Sequence, residues 1–168
     1  QILCLLAPSV ISYTRLTPHR WSAAFNNLGF QDREAAIRIC PVTATDTIGI
    51  ARQYNFEVRS LDAAASPHLA LAALVHAGCQ GIEDSLDAPA ASEGDLSVLS
   101  SKALADSGYV RLPESLETAL DAFEADKVVR GWFPETFPLV YLAHKRAEIT
   151  HVEGKTVLER YDAYARVY

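Results

Sequence analysis

The sequence predicts an α+β protein in which short antiparallel strands fill the first third of the chain and helices follow. Two short segments within residues 1–60 alternate apolar with charged residues, the period-two pattern of a strand with one solvated face. Beyond residue 66, apolar residues recur at helical spacing behind helix-start signals. The chain has 168 residues, 49% of them apolar, which is the length of one domain and the composition of a globular protein.

The two alternating segments are the candidate strands. The first is Ile37–Ile39 and the second is Phe56–Arg59. Within the second segment, Glu57 and Arg59 are two residues apart, so a strand places their side chains on the same face. Residues 41–55, between the two segments, are expected to form a loop or hairpin connection.

A strong helix signal follows the strands. Ser66 is a good N-cap, and Pro67 suits the first helical position. Residues 68–82 are almost entirely apolar, which predicts a helix buried on all sides. His76 lies within this run and is expected to be a core histidine rather than a metal ligand.

The second half of the chain is predicted to be mostly helical after a polar excursion. Residues 84–108 are rich in Asp, Ser, Ala, Pro and Gly, which indicates an exposed loop with a helical turn near residues 98–106. Three further helices are expected at residues 114–127, from Pro134 to the region of Ile149, and at residues 156–166. The first of these carries an apolar stripe formed by Leu116, Ala119, Leu120 and Phe123.

Composition narrows the function classes. The formal net charge of −6 argues against a broad nucleic-acid surface, and no segment reaches the roughly 20 apolar residues of a membrane-spanning helix. The three cysteines are far apart, which predicts reduced, buried thiols in a cytoplasmic protein. The chain contains no methionine, so we expect it to be a piece of a longer protein.

Four arginines, Arg15, Arg33, Arg38 and Arg59, are the candidate binding residues, because a guanidinium holds carboxylate or phosphate in a fork. On an extended segment Arg33 and Arg38 would point to opposite sides, so a turn between them is needed to converge them on one site. The alternative is that they are surface arginines paired with Asp32, Glu34 or Asp62.

Glu57 is the candidate metal ligand, placed beside Arg59. The alternative is an ion pair at the rim of the molecule, worth under about 1 kcal/mol. A single glutamate cannot make a Mg²⁺ site, so further oxygen ligands would have to come from elsewhere.

Five segments occur in a fixed order along the chain: Ser12–Leu16, Arg33–Ile39, Phe56–Arg59, Ser66–Leu74 and Leu112–Phe123. Taken in this order, they are similar to the motifs SYxRL, NRxAxIRI, ExR, NPYLALAALL and LPxSL. These motifs belong to the glutamine synthetase family, so the chain resembles the C-terminal part of that family's catalytic domain. The resemblance covers nearly the whole chain.

The resemblance implies an enzyme in which ATP phosphorylates the γ-carboxylate of glutamate and ammonia or an amine then displaces phosphate. It implies that Arg15 and Arg59 bind glutamate, and that Arg33 and Arg38 stabilise the transferred phosphoryl group and the phosphates of ATP. Glu57 would bind Mg²⁺ or Mn²⁺. Asn55 stands two residues before Glu57, where the family often has a basic residue, and the resemblance implies that Arg52 replaces it and binds the cofactor.

The resemblance also implies what surrounds the chain. Residues 1–168 would be a C-terminal fragment of the catalytic domain, lacking the N-terminal β-grasp domain and the first half of the catalytic domain. The complete protein would be a homo-oligomer with no nucleic-acid or membrane partner, and the fragment alone would be inactive.

One departure from the family bears on the substrate. After SYxRL the family has a loop whose glutamate helps to form the ammonium site, and here Trp21 stands where that acid would fall. The missing acid suggests a bulkier amine, as in the γ-glutamylpolyamine and γ-glutamylamide synthetases. The alternative is a non-catalytic relative with a structural or signalling role.

Overall fold

A computed structural model describes residues 1–165 and 167, and in this part of the chain short strands are combined with eight α-helices. The strands are β1 (Leu28–Phe30), β2 (Ile37–Ile39) and β3 (Phe56–Val58). The helices are α1 (Leu3–Leu6), α2 (Thr47–Gln53), α3 (Pro67–Glu83), α4 (Ser101–Asp106), α5 (Leu116–Ala125), α6 (Lys127–Gly131), α7 (Thr136–His151) and α8 (Val157–Tyr164). The predicted α+β class is confirmed.

The three strands form one sheet in the order β1-β2-β3. β2 and β3 pair antiparallel, as expected, but β1 and β2 pair parallel, so the expectation of antiparallel strands is wrong for this pair. Strands of three residues are only about 10 Å long, so the six residues between Phe30 and Ile37 suffice to return the chain to the start of β1. The Ile37 amide donates to the Asn27 carbonyl at 3.1 Å and closes this return.

Strand register sorts the side chains onto two faces. Gly29, Arg38 and Glu57 lie opposite one another across the sheet and share one face. Their neighbours along each strand point to the other face, where two rows are entirely apolar: Leu28, Ile37 and Val58, and Phe30, Ile39 and Phe56. The charged candidates and the apolar rows are therefore on opposite sides.

The described chain divides into two compact units. The first unit comprises Gln1–Arg15, Leu61–Asp87 and the chain from Pro113 onward, and the second comprises Leu16–Ser60 and Ala88–Leu112. In the first unit, α5 packs against both α1 and α7. Its core includes α1, the predicted stripe of α5, and residues of α7: Leu5, Leu116, Leu120, Phe123 and Leu142. The predicted α5 stripe is thus confirmed.

Helix α3 begins at Pro67 as predicted, but the expectation of burial on all sides is wrong. Of its residues only Ala70 and Ala73 are buried, whereas Leu71 is 63% and Ile82 is 80% exposed. His76 is exposed as well, and its ring stacks on Trp132 with 5.7 Å between ring centroids. The sequence shows how apolar a helix is. How many other elements pack around that helix depends on the tertiary structure, so burial on all sides could not be predicted from composition.

Other local expectations meet mixed outcomes. The segment 41–55, expected to be a loop or hairpin connection, contains α2, which Asp46 caps through a 2.9 Å hydrogen bond from the Gly49 amide. Near the start of the chain, where strands are expected, the structure has α1 and a 3₁₀ helix at Val10–Thr14. A 3₁₀ helix at Leu96–Val98 and α4 occupy the region of the predicted helical turn. α7 and α8 confirm the last two helices, although the predicted end at residue 166 falls outside the described residues.

Two further predictions concern the burial of the cysteines and the absence of a membrane-spanning helix. All three cysteines are free. Cys4 is buried, Cys40 is half-buried and Cys79 is exposed, so the prediction of buried thiols is confirmed only for Cys4. Burial raises the pKa of the Cys4 thiol to about 12. Within the described part of the chain, no helix has the length and hydropathy needed to cross a membrane.

Candidate functional site

Two arginines converge on one carboxylate on the charged face of the sheet. Strand pairing sets Arg38 opposite Glu57, and Arg38 Nη1 lies 3.1 Å from Glu57 Oε2. Arg59 follows β3 and brings its Nη1 within 2.8 Å of the same oxygen. Hydrogen bonds from Arg38 and then from Arg59 stabilise the ionised form, so the pKa of the Glu57 carboxyl lies below its ordinary value. The predicted shared face of Glu57 and Arg59 is confirmed by this contact.

Arg38 has an unused donor. Its side chain is 12% exposed, and its Nε is buried without a hydrogen-bond partner among the described residues. A buried donor that stays unpaired costs about 1–3 kcal/mol, so such atoms in native structures call for an explanation. An anion bound beside Arg38 would supply the missing acceptor.

Arg33 lies in the turn that the spacing of the two arginines requires. Its carbonyl accepts a 2.7 Å hydrogen bond from Arg59 Nε, and its guanidinium lies 5.0 Å above the ring of Trp21. The neighbouring acids make other contacts: Asp32 Oδ1 accepts from the Glu34 amide at 2.8 Å, and Glu34 accepts from backbone amides. Arg33 therefore stacks on an aromatic ring, whereas the alternative reading paired it with one of these acids.

The loop formed by residues 18–22, here called the Trp21 loop, is tied to the arginine cluster. The Trp21 carbonyl accepts a 2.9 Å hydrogen bond from Arg59 Nη2. Glu34 Oε2 accepts from the His19 amide at 2.7 Å, and Glu34 Oε1 accepts from the Trp21 amide at 3.0 Å. The loop thus has one hydrogen bond to Arg59 and two to Glu34.

A cavity of about 950 Å³ opens in the second unit beside this loop. Its wall includes the Trp21 loop, the turn that carries Arg33, and the segment 92–97. Trp21 and Arg33 line the cavity, and both also bond to Arg59 through their backbone carbonyls. The cavity and the arginine cluster therefore share a wall.

The remaining two candidates are Arg15 and Arg52. Arg15 belongs to the first unit, where its Nη2 donates to the Leu61 carbonyl at 3.1 Å. Arg52 lies in the last turn of α2 and is exposed. In the second unit, contacts between side chains join Arg38, Glu57 and Arg59. Arg33 joins this cluster through its backbone carbonyl, while its guanidinium lies over Trp21.

The described residues do not form a metal site by themselves. No group of three or more His, Cys, Asp or Glu side chains among them could hold a metal ion. Glu57 offers a single carboxylate, and one of its oxygens already pairs with two arginines. A hard divalent cation needs several oxygen ligands, so others would have to join Glu57.

Sequence reasoning missed two contributors to this unit. The sequence indicates Glu34 only as an alternative ion-pair partner of Arg33 or Arg38. Its acceptance of hydrogen bonds from two amides more than ten residues away has no local sequence signal. Arg111 donates from Nη2 to the Leu16 carbonyl at 3.0 Å, and its guanidinium lies 5.7 Å from the Phe25 ring. These contacts join residues near the beginning of the second unit to residues near its end. The spacing of residues along the sequence does not predict them, because they depend on the path of the folded chain.

Comparison with known proteins identifies similar chains. The family model described as the catalytic domain of glutamine synthetase matches residues 1–164. A gamma-glutamylpolyamine synthetase from Streptomyces coelicolor is 38% identical over 154 residues, covering 91% of this chain and 32% of that protein. A glutamine synthetase from Aquifex aeolicus is 36% identical over 145 residues, covering 84% of this chain and 29% of that protein.

Solved structures show the same similarity. A crystal structure described as a novel glutamine synthase homolog superposes with a TM-score of 0.77 at 39% identity, covering 99% of this chain and 35% of that one. A GmaS complex with ADP superposes with a TM-score of 0.71 at 26% identity, covering 96% and 35%. The chain spans about a third of the length of the curated relatives it matches.

Proposed function

The chain belongs to the glutamine synthetase family, and we propose that it forms the C-terminal part of the catalytic domain of an ATP-dependent ligase. The proposed reaction joins ammonia or an amine to the γ-carboxylate of glutamate through a γ-glutamyl phosphate. On this proposal an N-terminal β-grasp domain and the first half of the catalytic domain lie outside residues 1–168. The 168-residue chain alone is then inactive.

The observation that carries the proposal is the convergence of Arg38 and Arg59 on Glu57, with Arg33 bonded to Arg59. Glutamate and ATP are both anions, and phosphoryl transfer depends mainly on positioning and on neutralising charge. The buried, unpaired Nε of Arg38 is a donor ready for a phosphate oxygen. This arrangement suits an anionic substrate pair better than a structural ion pair, which would leave no buried donor unused.

The residue roles follow the family motifs. Arg15 and Arg59 bind the glutamate substrate, and Arg33 and Arg38 hold the transferred phosphoryl group and the ATP phosphates. Arg52, exposed at the end of α2, contacts the nucleotide. Glu57 contributes one ligand to bound Mg²⁺ or Mn²⁺, which when present neutralises phosphate charge, and the other ligands come from outside the described residues.

The partners proposed for the complete protein are glutamate, ATP, and ammonia or an amine. We propose that it is a homo-oligomer with no nucleic-acid or membrane partner. Its cytoplasmic location stays a prediction.

A larger amine is favoured over ammonia as the second substrate. Trp21 stands in place of the acid that helps to form the family's ammonium site, and its side chain is 65% exposed beside the cavity. An indole has no carboxylate to pair with ammonium or to accept its proton, but it offers an apolar surface to the carbon chain of a longer amine. One relative is named a gamma-glutamylpolyamine synthetase, which agrees with this reading.

The test is phosphate release by the complete protein supplied with ATP, Mg²⁺ and glutamate. We expect release with ethanolamine or putrescine to exceed release with ammonium or methylamine. Preference for ammonium would make the protein a glutamine synthetase and refute the argument from Trp21. A folded oligomer that binds ATP but releases no phosphate with any amine would support the alternative of a non-catalytic relative.

Arg38→Gln separates the proposed role of the arginine cluster from a structural one. We expect phosphate release to fall at least about a hundredfold, because a charged hydrogen-bond donor to the transferred group is lost. The control is Lys102→Gln, which removes a cation from the exposed surface of α4 in the same unit. Equal activity of the two variants would refute the role of Arg38.

A further inference from the structure

The Trp21 loop holds an unusual backbone conformation. His19 has a φ of 61° and Trp21 a φ of 56°, both in the left-handed region. Large side chains rarely adopt this region, because Cβ approaches the following carbonyl oxygen. Such strain persists only where the surrounding structure imposes it, and it clusters at functional sites.

Glu34 supplies the constraint. Each of its carboxylate oxygens accepts one backbone hydrogen bond, from the His19 amide at 2.7 Å and from the Trp21 amide at 3.0 Å. These are the two residues with left-handed backbones. A carboxylate that accepts from both amides stabilises this conformation against the extended one, in which the amides would point elsewhere.

Further contacts limit the freedom of the loop but act on other atoms. The His19 ring lies 3.2 Å from Ser97 Oγ and 3.7 Å from Asp95 Oδ2. The Trp21 ring lies under Arg33, and its carbonyl accepts from Arg59. The two amides are held by Glu34, so removal of its carboxylate should release the backbone at residues 19 and 21.

We propose that Glu34 is a positioning residue that holds the Trp21 loop as a wall of the cavity and thereby sets which amine the enzyme accepts. This inference rests on the proposed ligase function. Glu34 acts through backbone amides and Trp21, so it has no step in the chemistry. Its loss should alter the choice of amine while leaving the use of ATP and glutamate nearly intact.

Two variants of the complete protein test the proposal. Glu34→Ala removes both acceptors, whereas Glu34→Gln keeps the size of the side chain and one acceptor oxygen. The first readout is hydrogen exchange of the peptide that covers residues 18–22. We expect exchange to accelerate about tenfold or more in Glu34→Ala and less in Glu34→Gln. Glu93→Ala, which removes an exposed carboxylate from the same cavity wall, should leave this exchange unchanged.

The second readout is the kinetics of phosphate release. We expect the KM for putrescine to rise about tenfold in Glu34→Ala, with a smaller rise in Glu34→Gln. KM for ATP and glutamate should stay within about twofold of the unmutated protein. A merely structural role would instead lower activity with every substrate together.

The outcomes separate this inference from the proposed function. Unchanged exchange at residues 18–22 would overturn the role of Glu34 in holding the loop. Faster exchange with an unaltered order of preference among amines would overturn its role in specificity. If the unmutated protein releases no phosphate with any amine, the ligase function itself fails, and with it the specificity role.

Discussion

Glu57 shows how two arginines change one carboxyl group. The pKa of Glu57 lies below its ordinary value because hydrogen bonds from Arg38 and Arg59 favour the carboxylate. A carboxyl whose pKa is lower in the folded state stabilises the fold above its unfolded pKa, and that contribution is lost as the pH falls through the folded pKa. The cluster is therefore intact at neutral pH and weakens in acid.

The pKa of the Glu57 carboxyl should report its interaction with Arg38. We expect its pKa, followed by NMR with ¹³C-labelled glutamate, to lie below the ordinary value of a glutamate and to rise in Arg38→Gln, because the largest stabilising contact is removed. The control is Lys102→Gln, a charge change on exposed α4. If the pKa of Glu57 stays the same when Arg38 is removed, the ion pair between Arg38 and Glu57 does not stabilise the carboxylate in solution.

Strand β1 depends on a glycine at its centre. A Cβ on Gly29 would lie 2.6 Å from Ala35 Cβ and 2.8 Å from Asp32 Cβ, closer than carbon atoms approach. These residues flank Arg33 and Glu34, so the turn that carries both would have to shift. The close approach of β1 to this turn is thus a requirement of the site.

We expect Gly29→Ala to lower the free energy of unfolding by about 2 kcal/mol, the typical cost of overpacking. Urea denaturation of the protein followed by circular dichroism gives the value. Gly78→Ala is the matched control, because its Cβ meets nothing within 4 Å and alanine is the better helix former. Equal destabilisation by both changes would contradict the packing argument.

Helix α7 carries a buried charge. Lys145 is 7% exposed, and its Nζ lies 2.8 Å from Glu148 Oε1 one turn later on the same helix. The pairing satisfies a charge that would otherwise be costly among the core residues of the first unit. The sequence alone would place this lysine on a solvated face.

Removing the acid from this pair should destabilise the first unit. We expect Glu148→Ala to lower the free energy of unfolding by about 3 kcal/mol, because it removes a close partner of a buried ammonium group. The double change Lys145→Met with Glu148→Leu should recover most of that loss. Thermal denaturation measures the stability of the single and the double variant. A double variant as unstable as the single one would show that Glu148 stabilises the protein through a residue other than Lys145.

At the scale of the whole molecule, the described residues leave much apolar surface uncovered. Phe30 is 63% and Phe56 is 61% exposed on the apolar face of the sheet, and Leu71, Val75 and Ile82 are exposed on α3. Exposed apolar patches of this kind mark interaction surfaces or aggregation hazards. Part of the sheet and part of α3 therefore behave like surfaces that another polypeptide segment would cover.

The 168-residue chain expressed alone should reveal this surface. We expect it to bind the dye ANS and to self-associate in analytical ultracentrifugation, because apolar side chains remain in contact with water. Phe30→Ser combined with Phe56→Ser should reduce both effects. A monodisperse chain with no dye binding would contradict the exposure of these faces.

The sequence by itself determined the family, the fold class and several of the helices and strands. The Ser66-Pro67 start, the stripe of α5 and the motifs around Arg33, Arg38 and Glu57 are patterns of neighbouring residues, and the helix, the fold class and the family membership were predicted from them. The contact of Glu57 with Arg59 could also be predicted, because strand alternation is a local rule. The roles of these residues in catalysis stay predictions.

Only the tertiary structure decided which distant segments meet. The parallel pairing of β1 with β2, the exposure of α3 and the binding of the His19 and Trp21 amides by Glu34 depend on how the chain returns on itself. Periodicity reports the character of one face of an element and not what packs against it. A hydrogen bond between a side chain and a distant backbone amide leaves no pattern in the sequence, because every residue except proline offers the same amide.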